Sequence, residues 1–148
     1  STPVNSTPYL IGLRDFLIKA RQWTGRKELI DSLEFMLDSV ESLGVKIDFI
    51  LIGGSFTALS NCAPRDLDAV WLYRVFDINR FEPSKLRDFQ ACGKTNSLDI
   101  RLIPIDADPV IFIKSISFFS VLYSKKEGDM TLSRALILVD CRVASDAE

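Results

Sequence analysis

Phe49-Ile-Leu-Ile-Gly-Gly-Ser-Phe-Thr-Ala-Leu-Ser-Asn-Cys-Ala-Pro-Arg-Asp-Leu-Asp-Ala-Val-Trp-Leu-Tyr73 falls into two halves. An apolar run from Ile47 to Ile52 ends in Gly53-Gly54-Ser55, and a second run opens with Asp66-Leu67-Asp68 before turning apolar. Ten residues of helix-like and turn-like sequence separate them. The reading is strand, glycine turn, acidic strand. Side chains alternate along a strand with period two, so Asp66 and Asp68 are expected on one side, where they can share a divalent cation.

The residue types suit a phosphate chemistry. Magnesium takes oxygen ligands in octahedral geometry and is usually held by one or two carboxylates, with water and substrate phosphates filling its sphere. Gly53 and Gly54 lack a Cβ, so the backbone there can turn sharply and approach a phosphate closely. The N–H groups opening a following helix would add donors and a positive dipole end, and Ser55 a hydroxyl.

On these residues the chain resembles the nucleotidyltransferase superfamily related to DNA polymerase β. That signature is an apolar strand, Gly-Gly or Gly-Ser, a spacer, then Asp-x-Asp or Asp-x-Glu, with a third carboxylate on a later strand. The likeness covers about residues 45 to 105, and Asp99 in Ser97-Leu-Asp-Ile-Arg-Leu-Ile-Pro104 is the matching third carboxylate. The spacer departs from the Arg-Gly or second Gly common in small members, reading Phe-Thr-Ala-Leu-Ser-Asn-Cys-Ala-Pro-Arg with Arg65 at its end.

The resemblance implies an α/β (α+β) domain, a mixed β-sheet flanked by helices. It implies Asp66, Asp68 and Asp99 as catalytic and metal-binding residues for one or two Mg²⁺ ions, and Gly53, Gly54, Ser55 and Arg65 as the nucleotide-binding set. The implied reaction moves a nucleoside monophosphate from ATP or another nucleoside triphosphate to an acceptor hydroxyl, with Asp99 polarising or deprotonating the acceptor and pyrophosphate leaving. Larger members complete the nucleotide pocket with a helical domain. Here either a partner protein, as in toxin-antitoxin pairs, supplies that wall and is a candidate acceptor, or nucleotide binding is weak. The alternatives are a non-catalytic nucleotide- or partner-binding module of the same fold, or an unrelated α/β domain that forms oligomers.

Composition fits one soluble globular domain. The 148 residues are 47% hydrophobic and 26% charged, enough for one sizeable core. Lys plus Arg number 18 against 20 Asp plus Glu, a formal net charge of −2, which argues against a nucleic-acid surface and for a protein or small-molecule acceptor. Histidine is absent, and Cys62, Cys92 and Cys141 form no Cys-x-x-Cys pair, so the usual zinc sites and every histidine-based mechanism are excluded. The thiols read as buried and free, in a reducing compartment. No basic segment followed by a long apolar stretch opens the chain and no run reaches membrane-span length, which reads as a cytoplasmic protein.

Taken in order, residues 1–8 are expected to be a poorly ordered leader, 9–142 a single domain and 143–148 a frayed tail. Leu10, Leu13, Phe16, Leu17 and Ala20 recur at helical spacing, predicting a helix from Tyr9 to Trp23. A second is predicted from Arg26 to Leu43, with Leu29, Leu33, Phe35, Met36, Leu37 and Val40 inward and Gly44 as its stop. Pro83 opens a short helix to Gln90. In the strand at Leu98 to Pro104, Asp99 and Arg101 face away from the core. Asp108-Pro109 caps a helix to Tyr123, with Val110, Ile113, Ile116, Phe119 and Val121 buried. The charged turn Lys125 to Asp129 precedes a final strand, Arg134 to Val139, buried on both faces. Asp106 and Asp108 repeat the Asp-x-Asp spacing, but a proline-bracketed loop makes them caps.

Overall fold

The two apolar runs pair with each other. In the computed structural model, which describes residues 2–125 and 135–142, β2 (Val45–Gly53) and β3 (Leu67–Val75) form an antiparallel ladder from Val45 opposite Val75 to Gly53 opposite Asp68. The register slips between Ile47 and Phe49, where Asp48 is an extra residue. A bulge of one residue switches the face of everything beyond it. That is why Val45, Ile47, Ile50 and Ile52, of mixed parity, all enter the same core.

β4 (Leu98–Pro104) lies parallel to β3, reached through α3 (Pro83–Thr95). On the other side β5 (Ile137–Asp140) runs antiparallel to β2, and β1 (Tyr9–Gly12) parallel to β5 completes the order β1-β5-β2-β3-β4. The result is a mixed α+β domain. α1 (Leu13–Arg21), α2 (Lys27–Val40) and α3 pack on one face around Phe16, Leu33, Trp71 and Phe89, while α4 (Pro109–Ser124) lies against Leu51, Val70, Leu72 and Ile103 on the other. None of the described helices is long and apolar enough to cross a membrane.

Several expectations are corrected. Tyr9–Gly12 is a strand, not the first turn of a helix, because its backbone groups join the β5 ladder from Tyr9 opposite Ile137 to Gly12 opposite Asp140. One strand therefore precedes the first helix. Phe35 is 62% exposed, since the buried stripe of α2 runs through Leu29, Leu33, Met36 and Val40 and leaves Phe35 on the far side. Gly44 does stop the helical segment, at φ +77°. In α4 Val110, Ile113 and Val121 are exposed, because that helix touches the sheet mainly through Phe112, Ile116, Phe119 and Tyr123. Cys62 and Cys92 are exposed rather than buried, and Cys141 is half-buried. The charged turn, the beginning of the last predicted strand and the tail after residue 142 lie wholly or partly outside the described residues.

Candidate active site

Asp68 and Asp99 are register partners on the parallel strands β3 and β4, and Gly53 stands opposite Asp68 on β2. A glycine and two carboxylates thus form one row across three neighbouring strands, which are spaced about 4.8 Å apart. By alternation both acids share the face of Val70, Leu72 and Ile103, so they stand beneath α4. A cavity of about 240 Å³ lies there, lined by Gly54, Asp68, Asp99, Arg101, Phe119, Leu122 and Tyr123.

The two glycines have different jobs. Gly54 sits at φ +69°, where a Cβ is strained, and a Cβ there would lie 2.6 Å from Asp68 Oδ2. Its missing side chain is the space in which the Asp68 carboxylate rests. Gly53 is extended, and a Cβ on it would collide with Tyr123 Cβ and Leu136 Cδ2, so it admits the last turn of α4.

Asp99 accepts a hydrogen bond from Arg101 Nε at 3.2 Å, and that guanidinium lies 5.8 Å from the Phe119 ring centroid. Tyr123 is buried, and its hydroxyl has no hydrogen-bond partner among the described residues. Burial, then the Asp68 and Asp99 carboxylates, push its pKa far above the ordinary phenol value against a smaller opposing effect of Arg101. Near neutral pH it is a neutral hydroxyl.

The remaining predicted residues lie apart from this cavity. β3 begins at Leu67, so the period-two argument stops short of Asp66, which is exposed in the preceding coil. Arg65 is exposed beside it. Ser55 belongs to a single 3₁₀ turn, Gly54–Thr57, and the helix expected to follow the glycines is absent. Its aligned N–H donors are therefore absent too. Among the described residues, no group of three or more His, Cys, Asp or Glu is placed to hold a metal ion. Asp68 and Asp99 make a two-carboxylate donor set, which fits magnesium when water and phosphate oxygens complete its sphere.

What replaces the helix is Arg26. The residue is fully buried at the start of α2, and its guanidinium donates to the carbonyls of Thr24, Ser55, Phe56, Ala58 and Asn61 at 2.6–3.3 Å. Burial lowers its pKa. A single arginine thereby pins the spacer from Ser55 to Asn61, the segment joining the glycine turn to β3. Nothing in the sequence singles it out, since an arginine opening a helix after Thr24-Gly25 reads as solvated. Tyr123, Phe119 and Leu122 were legible only as helix-face residues.

A family model for a family of unknown function, DUF6932, matches residues 8–139. The chain belongs to that family. No curated protein and no solved structure matches it. The matched DUF6932 span contains every residue lining the cavity, together with Arg26 and the spacer it holds. The candidate site thus belongs to the part of the chain by which the family is defined.

Proposed function

We propose that this chain is a Mg²⁺-dependent nucleotidyltransferase, moving a nucleoside monophosphate from a triphosphate, ATP in the first instance, to a hydroxyl of a protein or small-molecule acceptor. The observation that carries the reading is the pairing of Asp68 with Asp99 on adjacent parallel strands, at the end of a glycine turn whose Gly54 makes room for the first carboxylate. Mg²⁺ held by these two acids would supply positive charge to the phosphate oxygens. The acceptor oxygen bonds to the α-phosphorus, and the bond to the bridging oxygen breaks with its electron pair leaving on pyrophosphate. The hydroxyl proton goes to Asp99. Asp66 stands outside the cavity, so the reading gives the central roles to Asp68 and Asp99.

One observation favours a second reading, a nucleotide-binding module without turnover. The last turn of α4 leaves a cavity of about 240 Å³, below the roughly 300–1,000 Å³ of pockets that enclose drug-sized ligands. A partner that displaces α4 or adds a wall, such as the second member of a toxin-antitoxin pair, would resolve the mismatch.

The test is incubation with α-labelled ATP and Mg²⁺, with and without candidate acceptors, followed by measurement of label transfer and pyrophosphate. Transfer that disappears in Asp68→Asn and Asp99→Asn supports the transferase. Mg²⁺-dependent ATP binding without pyrophosphate release supports the module, and absence of both eliminates the two readings together.

A further inference from the structure

We infer that the cavity between α3 and β4 binds the phosphate group of a small hydroxyl-bearing acceptor. This pocket of about 450 Å³ is distinct from the Asp68 cavity but continuous with it in its walls, because Asp99 and Arg101 line both. Its other charged walls are Arg87 and Lys94 of α3, with Gln90 between them. β4 is the last strand of the described sheet on this side, so the pocket opens past the sheet edge.

Arg87, Gln90 and Lys94 recur at intervals of three and four residues and so share one helix face. At 1.5 Å rise per residue, the two cations are about 10 Å apart along the axis. Neither forms an ion pair among the described residues, whereas Arg101 already pairs with Asp99. The charged residues lining the cavity are thus three cations and one carboxylate, with Arg101 paired to Asp99, in a chain whose formal net charge is −2. Positive potential concentrated in a concave site attracts an anion, and planar guanidinium forks match phosphate oxygens in geometry as well as charge.

A solvated helix face would account for two exposed cations. It does not account for both of them, with an amide between, lining a cavity whose wall at Asp99 and Arg101 is shared with the acidic site. The volume lies within the roughly 300–1,000 Å³ range of small-ligand pockets, room for a sugar phosphate. A molecule anchored there by its phosphate would lie at the sheet edge beside Asp99, within reach of the group proposed to take the acceptor proton. The acceptor role rests on the transferase reading, while the anion binding stands without it.

Amide chemical shifts of the full chain are followed during titration with ribose 5-phosphate and, separately, with ribose, both in EDTA. Ribose 5-phosphate is expected to shift the amides of residues 87–94 and 98–101, ribose to shift none, and the double variant Arg87→Ala/Lys94→Ala to weaken binding about tenfold with an unchanged melting temperature. Absence of binding, or the same affinity in the double variant, overturns the subsite. A single-stranded oligonucleotide that shifts these amides at far lower concentration overturns the small-molecule assignment in favour of nucleic acid. Because EDTA removes divalent cations, failure here leaves the transferase reading standing. Conversely, failure of Mg²⁺-dependent ATP binding removes the acceptor role and leaves the phosphate site.

Discussion

Replacing Arg26 with methionine keeps a long apolar stem and removes the guanidinium that holds the spacer. The side chain is fully buried, and five carbonyls, those of Thr24, Ser55, Phe56, Ala58 and Asn61, accept from it. Charge-assisted bonds contribute about 1.5–3 kcal/mol each in isolation, but adding them for all five acceptors would overshoot. Methionine also relieves the desolvation of a buried charge, and spacer carbonyls that swing outward regain water. The better guide is the cost of an unpaired buried acceptor, about 1–3 kcal/mol for each carbonyl that stays dry, which for about two of the five gives a loss of roughly 3–5 kcal/mol. For a chain of this length each kcal/mol moves the melting temperature by roughly 2–4 °C, so a fall on the order of 10 °C is expected.

Thermal and urea denaturation measure the global loss, and amide hydrogen exchange across residues 54–61 locates it. The expected result is lower stability, faster exchange in the spacer and loss of Mg²⁺-dependent ATP binding, because the spacer links the glycine turn to Asp68. Arg26→Lys keeps the charge but loses the fork, and should fall between wild type and methionine. A loss under about 1 kcal/mol, with spacer exchange unchanged, would refute the reasoning by showing that the carbonyls find water at no cost.

Gly54→Val should cost about 1–3 kcal/mol through its left-handed backbone and, by pushing on Asp68 Oδ2, abolish Mg²⁺-dependent ATP binding; calorimetry showing wild-type affinity would separate Gly54 from the site. Tyr123→Phe removes a buried hydroxyl that has no partner among the described residues while keeping the ring against Phe119, so thermal unfolding should show stability gained by about 1 kcal/mol. A lowered melting temperature would reveal a bond to that hydroxyl. Burial, with Asp140 and Asp48 nearby, pushes the Cys141 thiol up to about 12, so near neutral pH a maleimide should label the exposed Cys62 and Cys92 well before Cys141. In the unfolded chain that thiol ionises from 9.0, so between pH 9.0 and about 12 the folded state holds the extra proton and stability should decline as pH rises, as urea midpoints across that window will show.

The central strands and their acids were legible because the information is local. An apolar run ending in two glycines, and Asp99 alternating with Leu98 and Ile100, carry their meaning within a few residues. β1 was not legible, since Leu10, Leu13, Phe16 and Leu17 fit a helix, and the ladder that makes Tyr9–Gly12 a strand comes from β5, far along the chain. Arg26 was hidden for the same reason: its acceptors lie about thirty residues away in the spacer. For α4 the composition misled. An apolar helix is expected to be buried, yet Ile111, Ile113 and Phe118 all face outward.

The sequence left two accounts of Asp99 in competition, an ion pair with Arg101 on a solvated edge or a third carboxylate beside Asp68. The structure contains the ion pair and also sets Asp99 opposite Asp68 in the β3–β4 register, so magnitude decides which governs the residue. The Arg101–Asp99 pair has side chains 48% and 41% exposed, which places it among surface bridges worth at most about 1 kcal/mol. Proximity to Asp68 is set differently, by the β3–β4 ladder and the buried residues flanking each acid, Leu67 and Ala69 on one strand and Leu98 and Ile100 on the other, and cannot be undone without unpairing the sheet. A side chain can leave Arg101 at little cost but cannot leave its strand. On the proposed reading, a cation engaging Asp99 would release Arg101 at a cost no greater than that of this weak ion pair.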